Sequence, residues 1–297
     1  MSEQKKEKQK FAPGFYEGIP NDVYHGGSLG TSSSQLKKFC EKTAAHYLYD
    51  LTHPKPSTEA MNIGTAAHTM ILEPENFDNE IAVSPVFNLR TKAGKADKEE
   101  FIDENAGKLI INKAQHAKAH HMSQAVLTHS IASALLEDTL NEVSVFWWYK
   151  DLSGDTDRDY KEMMKVRPDA LGLSHSVIID IKTTNDASFT GFSKSILHFY
   201  YHLSAAMYLE GCNQCKPLLE RCGHFAFTKF IFICVENEPP YEVAVYELSK
   251  EFVELGKSLY RRAVKKLSEA REEDYPGYEE DIRIITPPTY ANKLWIV

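Results

Sequence analysis

The sequence predicts an α/β fold in which a central mixed β-sheet is flanked by α-helices. Apolar, β-branched runs of strand length, such as residues 177–179, alternate along the chain with longer segments whose apolar residues recur at helical spacing. The 297 residues are 42% hydrophobic and 26% charged, an ordinary composition for one globular core. Neither an internal repeat nor an interdomain linker is visible. We therefore predict a disordered tail over residues 1–10 and a single domain over residues 11–297.

Charge and cysteine content restrict the compartment and the partners only in part. No apolar run approaches the roughly 20 residues that span a bilayer, and the lysine-rich N-terminus is not a secretory signal. Five cysteines, an odd number, are typical of reduced thiols, so we predict a cytoplasmic protein without membrane contact. The formal net charge is −8, but seven acidic residues against one basic residue lie within residues 269–281. Net charge therefore neither indicates nor excludes a polyanionic partner.

The first half of the chain is predicted to be an irregular arm followed by helices. The arm covers residues 11–30 and is rich in Gly, Pro and Asn. N-cap residues, helical spacing of apolar residues and a terminating Pro74 predict four helices, at residues 32–50, 60–72, 97–106 and 113–140. An exposed loop over residues 87–100 runs into the third of these helices.

The second half is predicted to supply most of the sheet. Alternating or continuous apolar runs predict strands at residues 142–149, 161–171, 175–183, 225–235 and 242–248. The first three follow one another directly, which predicts an antiparallel meander. Helices over residues 193–211 and 249–273 complete the fold, the second with Ser249 as its N-cap.

Charged residues occur at the end of a strand that should be buried on both faces. Asp169 follows Pro168, and Asp180, Ile181 and Lys182 end the next strand. Because side chains alternate along a strand, Asp180 and Lys182 point to one face and Ile181 to the other. Converging carboxylates favour a hard divalent cation such as Mg²⁺, and a neighbouring lysine suits phosphodiester hydrolysis. The alternative is a structural Asp–Lys ion pair in the core.

A histidine on the helix over residues 60–72 is a further candidate. Gly64, Ala67 and His68 share one helix face with Ile71, and small residues on that face permit close packing against another element. We therefore expect His68 to be buried. It is either a core histidine bonded to the backbone or a metal ligand.

The loop over residues 87–100 offers a possible phosphate contact. Arg90, Lys92 and Lys95 lie on both sides of Gly94, and a glycine flanked by cations can approach phosphates through backbone N–H groups. A solvated loop explains the same residues equally well.

These residues carry a resemblance to a known family. Pro168-Asp169 followed by Asp180-Ile181-Lys182 resembles the PD-(D/E)XK nuclease signature, and DIKTT is similar to its RecB-like branch. Over about residues 14–260 the chain resembles the C-terminal nuclease domain of exonuclease VIII, the RecE type. The segments that carry the likeness, in the same order, are GIPNDVYH, SSSQLKKF, GTAAHTMILEP, FNLRTKAGK, VRPD and YHLSAAMY.

The resemblance implies a restriction-endonuclease-like core and an activity. The implied activity is an Mg²⁺-dependent exonuclease, in which Mn²⁺ can substitute, that resects double-stranded DNA ends 5′ to 3′ in phage-type or recombinational repair. It also implies a homo-oligomeric ring, with a tetramer favoured, and a RecT-like single-strand annealing protein as partner. Two other functions stay open: a non-catalytic DNA-end-binding assembly factor and a cluster-bearing RecB-like endonuclease.

The resemblance also implies residue roles. Asp169, Asp180 and Lys182 would be catalytic, and the metal ligands would be His68, Asp169, Asp180 and the Ile181 carbonyl. Arg90, Lys92, Lys95 and Tyr208 would contact DNA. RecB-like nucleases carry a Gln four residues before this tyrosine, whereas this chain has Ser204, for which His202 or Gln214 could substitute. Glu142 is either an outer acid of the site or a solvated strand end.

A cysteine cluster gives a second possible metal site. Some RecB-like nucleases hold an iron–sulfur cluster with one early and three late cysteines, an order that Cys40, Cys212, Cys215 and Cys222 superficially match. Zinc held by the three late cysteines and His224 is the other alternative. The late cysteines follow Tyr208 too closely for the cluster-bearing pattern, and we expect neither group to be bound.

Overall fold

The computed structural model describes residues 10–27, 30–150, 162–223 and 225–287. The helices are α1 (Ser33–Glu41), α2 (Ala44–Thr52), α3 (Glu59–Leu72), α4 (Phe77–Glu80), α5 (Lys92–Glu104), α6 (Lys113–Thr128), α7 (Ser130–Leu136), α8 (Phe189–His198), α9 (Tyr201–Gln214), α10 (Lys216–Arg221) and α11 (Lys250–Glu272). The strands are β1 (Gly14–Tyr16), β2 (Ile81–Ser84), β3 (Leu109–Asn112), β4 (Thr139–Asn141), β5 (Ser144–Trp148), β6 (Met163–Val166), β7 (Ala170–Gly172), β8 (Val177–Thr184), β9 (Lys229–Glu236) and β10 (Val243–Glu247). Apart from Lys10, the tail predicted over residues 1–10 lies outside the described residues.

A five-stranded mixed sheet forms the centre of the molecule, in the order β10-β9-β8-β7-β4. β8 runs parallel to β9, whereas the other neighbouring strands in this sheet are antiparallel. Helices cover both faces, and Ile178 packs into one core cluster while Ile179 packs into the other. The predicted fold class, a mixed sheet flanked by helices, is confirmed. No helix in the described part of the chain is long and apolar enough to cross a membrane.

The antiparallel meander predicted over residues 142–183 is wrong, because its strands belong to two sheets. β5 and β6 pair with β1 in a three-stranded sheet, whereas β7 and β8 pair in the central sheet. The run predicted as one strand over residues 161–171 is broken at Pro168, which has no N–H group to continue a strand ladder. The break turns the following residue, Asp169, from one sheet toward the other.

Three of the predicted helices are each divided in two. The chain breaks at residues 42–43 between α1 and α2, at His129 between α6 and α7, and at residues 199–200 between α8 and α9. Tyr200 adopts a left-handed conformation, with φ of 52°, at the last of these breaks. The first turn of α9 is thereby set at a new angle to α8, which directs Tyr201 into the site described below.

The exposed loop predicted over residues 87–100 is helical from Lys92 onward. Thr91 caps α5 by accepting a hydrogen bond from the Gly94 amide at 3.0 Å. Gly94 is required here because a Cβ atom would lie 2.3 Å from the Asn88 carbonyl oxygen. Lys92 and Lys95 therefore lie on a helix, and only Arg90 lies in the turn before it.

Candidate active site

A cleft of about 930 Å³ opens beside the second half of β8. Its walls come from β8, α1, α3, α9 and the arm that precedes α1. Five of the predicted site residues line it, although they are far apart in the sequence: His68, Asp169, Asp180, Lys182 and Tyr208. The fold therefore brings the two charged motifs, the helix-borne histidine and the α9 tyrosine to one place.

Asp169 is held against the neighbouring strand by its own carboxylate. The turn between β6 and β7 carries it, and its Oδ2 atom accepts a hydrogen bond from the Ile181 amide at 2.6 Å. The side chain of Ile181 lies on the opposite face of β8, in the core. Its carbonyl oxygen, the predicted metal ligand, lies 3.4 Å from the Lys182 ammonium group. The backbone N–H and C=O groups of one residue, Ile181, thus contact both charged residues.

His68 lies on α3 and faces the Asp169 carboxylate. The helix approaches β8 closely at Gly64, where a Cβ atom would lie 3.3 Å from the Thr183 hydroxyl oxygen. One turn later, His68 Nδ1 lies 3.6 Å from Asp169 Oδ2. The close packing expected from the small residues is present, but the prediction that His68 is buried is wrong. Its side chain is 26% exposed, because it lines the open cleft instead of the core.

Asp180 and Lys182 form the ion pair that strand alternation predicts. Burial raises the pKa of Asp180, and the Lys182 ammonium group opposes that shift. Burial alone would lower the pKa of Lys182, but the carboxylates of Asp180 and Asp169 outweigh it and raise that pKa. The pair places a cation and an anion at the floor of a cleft that is open to a substrate.

Glu142 completes a set of possible metal ligands, a role that the sequence left as one of two alternatives. It lies in the turn between β4 and β5 with φ of 49°, and its amide donates to the Asp169 carbonyl oxygen at 3.1 Å. Donor atoms of His68, Glu142 and Asp169 all lie within 4.8 Å of one another. Burial, and then the negative charge of Asp169, raise the pKa of Glu142 to about 9. Two carboxylates this close without a cation repel each other, so the donor set fits a divalent metal ion.

Lys37 and Tyr201 also line the cleft, and neither was among the predicted site residues. The ammonium groups of Lys37 and Lys182 lie 5.2 Å and 5.3 Å from the centroid of the Tyr201 ring. Burial, and then the positive charge of Lys182, lower the pKa of Lys37 to about 8. A sequence signal did exist, since Lys37 follows the capping serines by one helical turn. Its function as a cleft residue depends on how α1 packs against α9.

Ser204 stands where RecB-like nucleases have a glutamine, and it leaves a shorter side chain in the cleft wall. Ser204 and Tyr208 both line the cleft, and the Tyr208 hydroxyl is hydrogen-bonded to Ser33. His202 cannot substitute for the missing glutamine, because its buried ring is bonded to the Ile196 carbonyl oxygen at 3.1 Å. Gln214 does not line the cleft either, and its amide nitrogen is buried.

The predicted DNA-contacting cations lie outside this cleft. Arg90, Lys92 and Lys95 are exposed, and none of them lines the cavity. A contact between these residues and DNA stays a prediction.

The late cysteines are buried and do not line the cleft. Cys212, Cys215 and Cys222 belong to the apolar core, and burial raises the pKa of their thiols. Within the described ranges, the donor atoms close enough to share one ion belong to His68, Glu142 and Asp169 only. His224, the fourth ligand of the zinc alternative, lies outside the described residues.

A cluster of hydrogen bonds fixes the arm against the cleft. Arg167 donates to the Ser144 hydroxyl at 2.9 Å, to the Asn21 side-chain oxygen at 2.8 Å and to the Ile19 carbonyl oxygen at 2.8 Å. Its guanidinium carbon lies 4.1 Å from the centroid of the Tyr24 ring. Arg167 is therefore the residue that connects the arm to the Pro168 turn.

The fold and the cleft define a class of protein. A mixed central sheet that joins a Pro-Asp turn, an Asp-x-Lys strand and a helix-borne histidine is the PD-(D/E)XK-like fold. The chain belongs to the family described as PDDEXK-like domain of unknown function (DUF3799), which matches residues 32–286. No curated protein matches it in sequence.

A solved structure shares the fold at low sequence identity. One is the crystal structure of a protein from Eubacterium rectale named "Putative exonuclease", with a TM-score of 0.60 and 12% identity. The match covers 95% of this chain and 99% of that protein. A second match, to SSO0001, covers 72% of this chain and 87% of the other at 15% identity, and its TM-score of 0.29 carries no argument. The first match supports the fold over nearly the whole chain.

Proposed function

We propose that the protein is a divalent-metal-dependent deoxyribonuclease that degrades double-stranded DNA from its ends. The observation that carries the proposal is the donor set of His68, Glu142 and Asp169 beside the Asp180–Lys182 ion pair in one open cleft. The E. rectale protein that shares the fold is named as an exonuclease, which supports the same activity here. A purely structural ion pair would not need a histidine and two further carboxylates around it.

Different residues of the site would carry out different parts of phosphodiester hydrolysis. A bound Mg²⁺ ion would polarise the scissile phosphate and lower the pKa of a water ligand. His68, Glu142 and Asp169 would hold the ion, with Asp180 and the Ile181 carbonyl as the further predicted ligands. Lys182 is a cation fixed beside the phosphate position, so it stabilises the negative charge that develops during attack. Asp180 orients that ammonium group through the ion pair.

Polarity and assembly rest on the resemblance to the exonuclease VIII type. We propose 5′ to 3′ resection, a ring of subunits with a tetramer favoured, and a RecT-like annealing protein as partner. Such an enzyme would act in phage-type or recombinational repair of DNA ends. Tyr208 would contact the substrate strand within the cleft, and Arg90, Lys92 and Lys95 would contact phosphates outside it.

Digestion of three substrates tests the activity and its dependence on ends. With Mg²⁺ or Mn²⁺, linear and 5′-phosphorylated linear duplexes should release nucleotides, whereas closed circular duplex should stay intact. Nicking of the closed circle would instead indicate an endonuclease, and binding of ends without release would indicate an assembly factor.

One substitution tests the site itself. Asp180→Ala should abolish metal-dependent nucleotide release, because Lys182 loses the partner that orients it. The control is Asp186→Ala, which removes a carboxylate that lies just after β8 and does not line the cleft. Circular dichroism should show both variants folded, and full activity of Asp180→Ala would refute the assignment.

A further inference from the structure

The cleft has an aromatic wall that the metal chemistry does not use. Tyr201 begins α9, and its ring stacks on that of Phe199 with centroids 5.5 Å apart and an interplanar angle of 28°. Phe192 and Phe232 support the Tyr201 ring from the core. Both Tyr201 and Phe199 line the cleft. The wall is therefore rigid on its inner side and open on its outer side.

The exposed part of this wall is a single phenyl ring. Phe199 is 49% exposed although it lies at a cleft whose other residues are mostly polar or charged. Apolar surface of this kind is stabilised when another flat group covers it. Nucleic-acid bases stack on such rings irrespective of their sequence.

Lys37 adds a positive charge next to the wall that no direct ion pair neutralises. Lys182 is paired with Asp180, but Lys37 makes no ion pair or hydrogen bond within the described residues, and Asp180 and Glu41 attract it only from beyond contact distance. It is partly buried, and the positive charge of Lys182 opposes its own. A partly buried cation without a directly paired carboxylate gains from binding an anion. In a cleft built for a nucleic acid, that anion is a backbone phosphate.

We propose that Lys37, Tyr201 and Phe199 form a binding site for one unpaired nucleotide of the strand being cut. The ammonium group of Lys37 binds a backbone phosphate, the base stacks on Phe199, and Tyr201 supports both groups. A base inside a duplex has both faces covered, whereas an unpaired base has a free face, so we take the nucleotide to be unpaired, and comparison with a blunt duplex tests the alternative that a terminal pair stacks instead. The proposal rests on the proposed function in that it takes the cleft to be the DNA site.

Binding without metal measures this site separately from cleavage. The probe is a short fluorescein-labelled oligothymidylate, titrated with the full chain in EDTA at several salt concentrations and followed by fluorescence anisotropy. Lys37→Ala should weaken binding and make the slope of log K against log salt shallower by about 0.7, the value for one phosphate contact to a single strand. Phe199→Ala should weaken binding about tenfold and leave the slope unchanged, because stacking releases no counter-ion.

The chain offers a matched control for each variant. Lys38 is the next residue of α1 but pairs with Asp50 at 3.0 Å, away from the cleft. Phe189 lies at the start of α8, is 75% exposed and does not line the cleft. Lys38→Ala and Phe189→Ala should therefore bind the oligothymidylate as the wild type does. Lys37→Arg and Phe199→Trp should retain binding, and they keep the test valid if an alanine variant fails to fold.

Several outcomes would overturn the proposal. The first is a salt slope of Lys37→Ala that equals that of the wild type. The second is a loss of oligothymidylate affinity in Phe199→Ala no greater than that in Phe189→Ala. The third is a loss of affinity in Phe199→Ala that is equal for the single strand and for a blunt duplex. An effect of Lys37→Ala confined to 5′-phosphorylated oligothymidylate would assign Lys37 to a terminal phosphate and also overturn it. If the wild type cleaves DNA while these variants bind normally, only this inference fails. If the variants behave as expected but no DNA is cleaved, only the proposed function fails.

Discussion

At the scale of single residues, Glu142 has the environment that a metal ligand needs. Its backbone amide donates to the Asp169 carbonyl oxygen, so the main chain holds the two carboxylates close together although their charges repel. That closeness raises the cost of two negative charges until a cation binds between them. Glu142 should therefore contribute to metal affinity, although it stands outside the Pro-Asp and Asp-x-Lys motifs.

Substitution of Glu142 tests this role. Glu142→Gln should weaken Mn²⁺ binding by about tenfold or more, because a neutral amide replaces a carboxylate ligand. Isothermal titration calorimetry with Mn²⁺ in the absence of DNA measures the change. Glu75→Gln, an exposed glutamate that does not line the cleft, serves as the control. Equal affinities in Glu142→Gln and the wild type would remove Glu142 from the site.

At the scale of elements, the packing of α9 against α11 sets where the aromatic wall stands. The helices meet at Gly256, where a Cβ atom would lie 2.0 Å from the His202 carbonyl oxygen and 3.1 Å from the Ala206 Cβ atom. Only a residue without a side chain permits this distance between the two backbones. Tyr201, Ser204 and Tyr208 are carried on the same helix and take their positions from this contact.

A single methyl group at this contact should therefore have a large effect. Gly256→Ala should destabilise the protein by about 3 kcal/mol, because the backbone cannot yield as the end of a flexible side chain would. Urea denaturation measures the change in unfolding free energy. Gly277→Ala is the matched control, since a Cβ atom there meets nothing within 4 Å. If the urea midpoint of Gly256→Ala equals that of the wild type, α9 and α11 can move apart without loss of unfolding free energy.

At the scale of the whole molecule, a buried histidine makes stability depend on pH. Burial lowers the pKa of His202, its hydrogen bond to the Ile196 carbonyl oxygen opposes that shift, and the charge of Lys37 adds to it. The unfolded chain takes up protons near the ordinary pKa of 6.5, before the folded protein does. Below that pH the unfolded state therefore binds more protons and stability falls.

The expected contribution of His202 is a loss of stability as the pH decreases from 7 through 6.5 toward acid, opposite in sign to that of Glu142, whose pKa is raised to about 9. His202→Gln should flatten this dependence, because glutamine does not titrate and retains an amide that can donate to the Ile196 carbonyl oxygen. Differential scanning calorimetry of both proteins across the pH range measures it. Parallel curves for the two proteins would show that His202 has no part in the acid sensitivity.

The parts of the molecule that sequence patterns predict are those decided by local chemistry. β8 was predictable because continuous β-branched residues suit a strand buried on both faces, and alternation then places Asp180 beside Lys182. The division of the predicted meander between two sheets was not predictable. Pro168 ends the hydrogen-bond ladder of β6, but it does not specify which sheet the chain joins next. Lys37 was missed as a cleft residue, and Glu142 was left between an outer acid of the site and a solvated strand end, because each reaches the cleft through tertiary packing.

The hydrogen bonds of Arg167 give the arm a thermodynamic link to the charged cleft. Arg167 and Asp169 are separated only by Pro168, so a displacement of one is transmitted through a stiff backbone to the other. If ordering of the carboxylate also orders the residues that Arg167 binds, reciprocity requires that an ordered arm raise the affinity of the cleft for its ligand by the same factor. The arm is in this sense part of the binding equilibrium, although it contributes no residue to the nuclease signature.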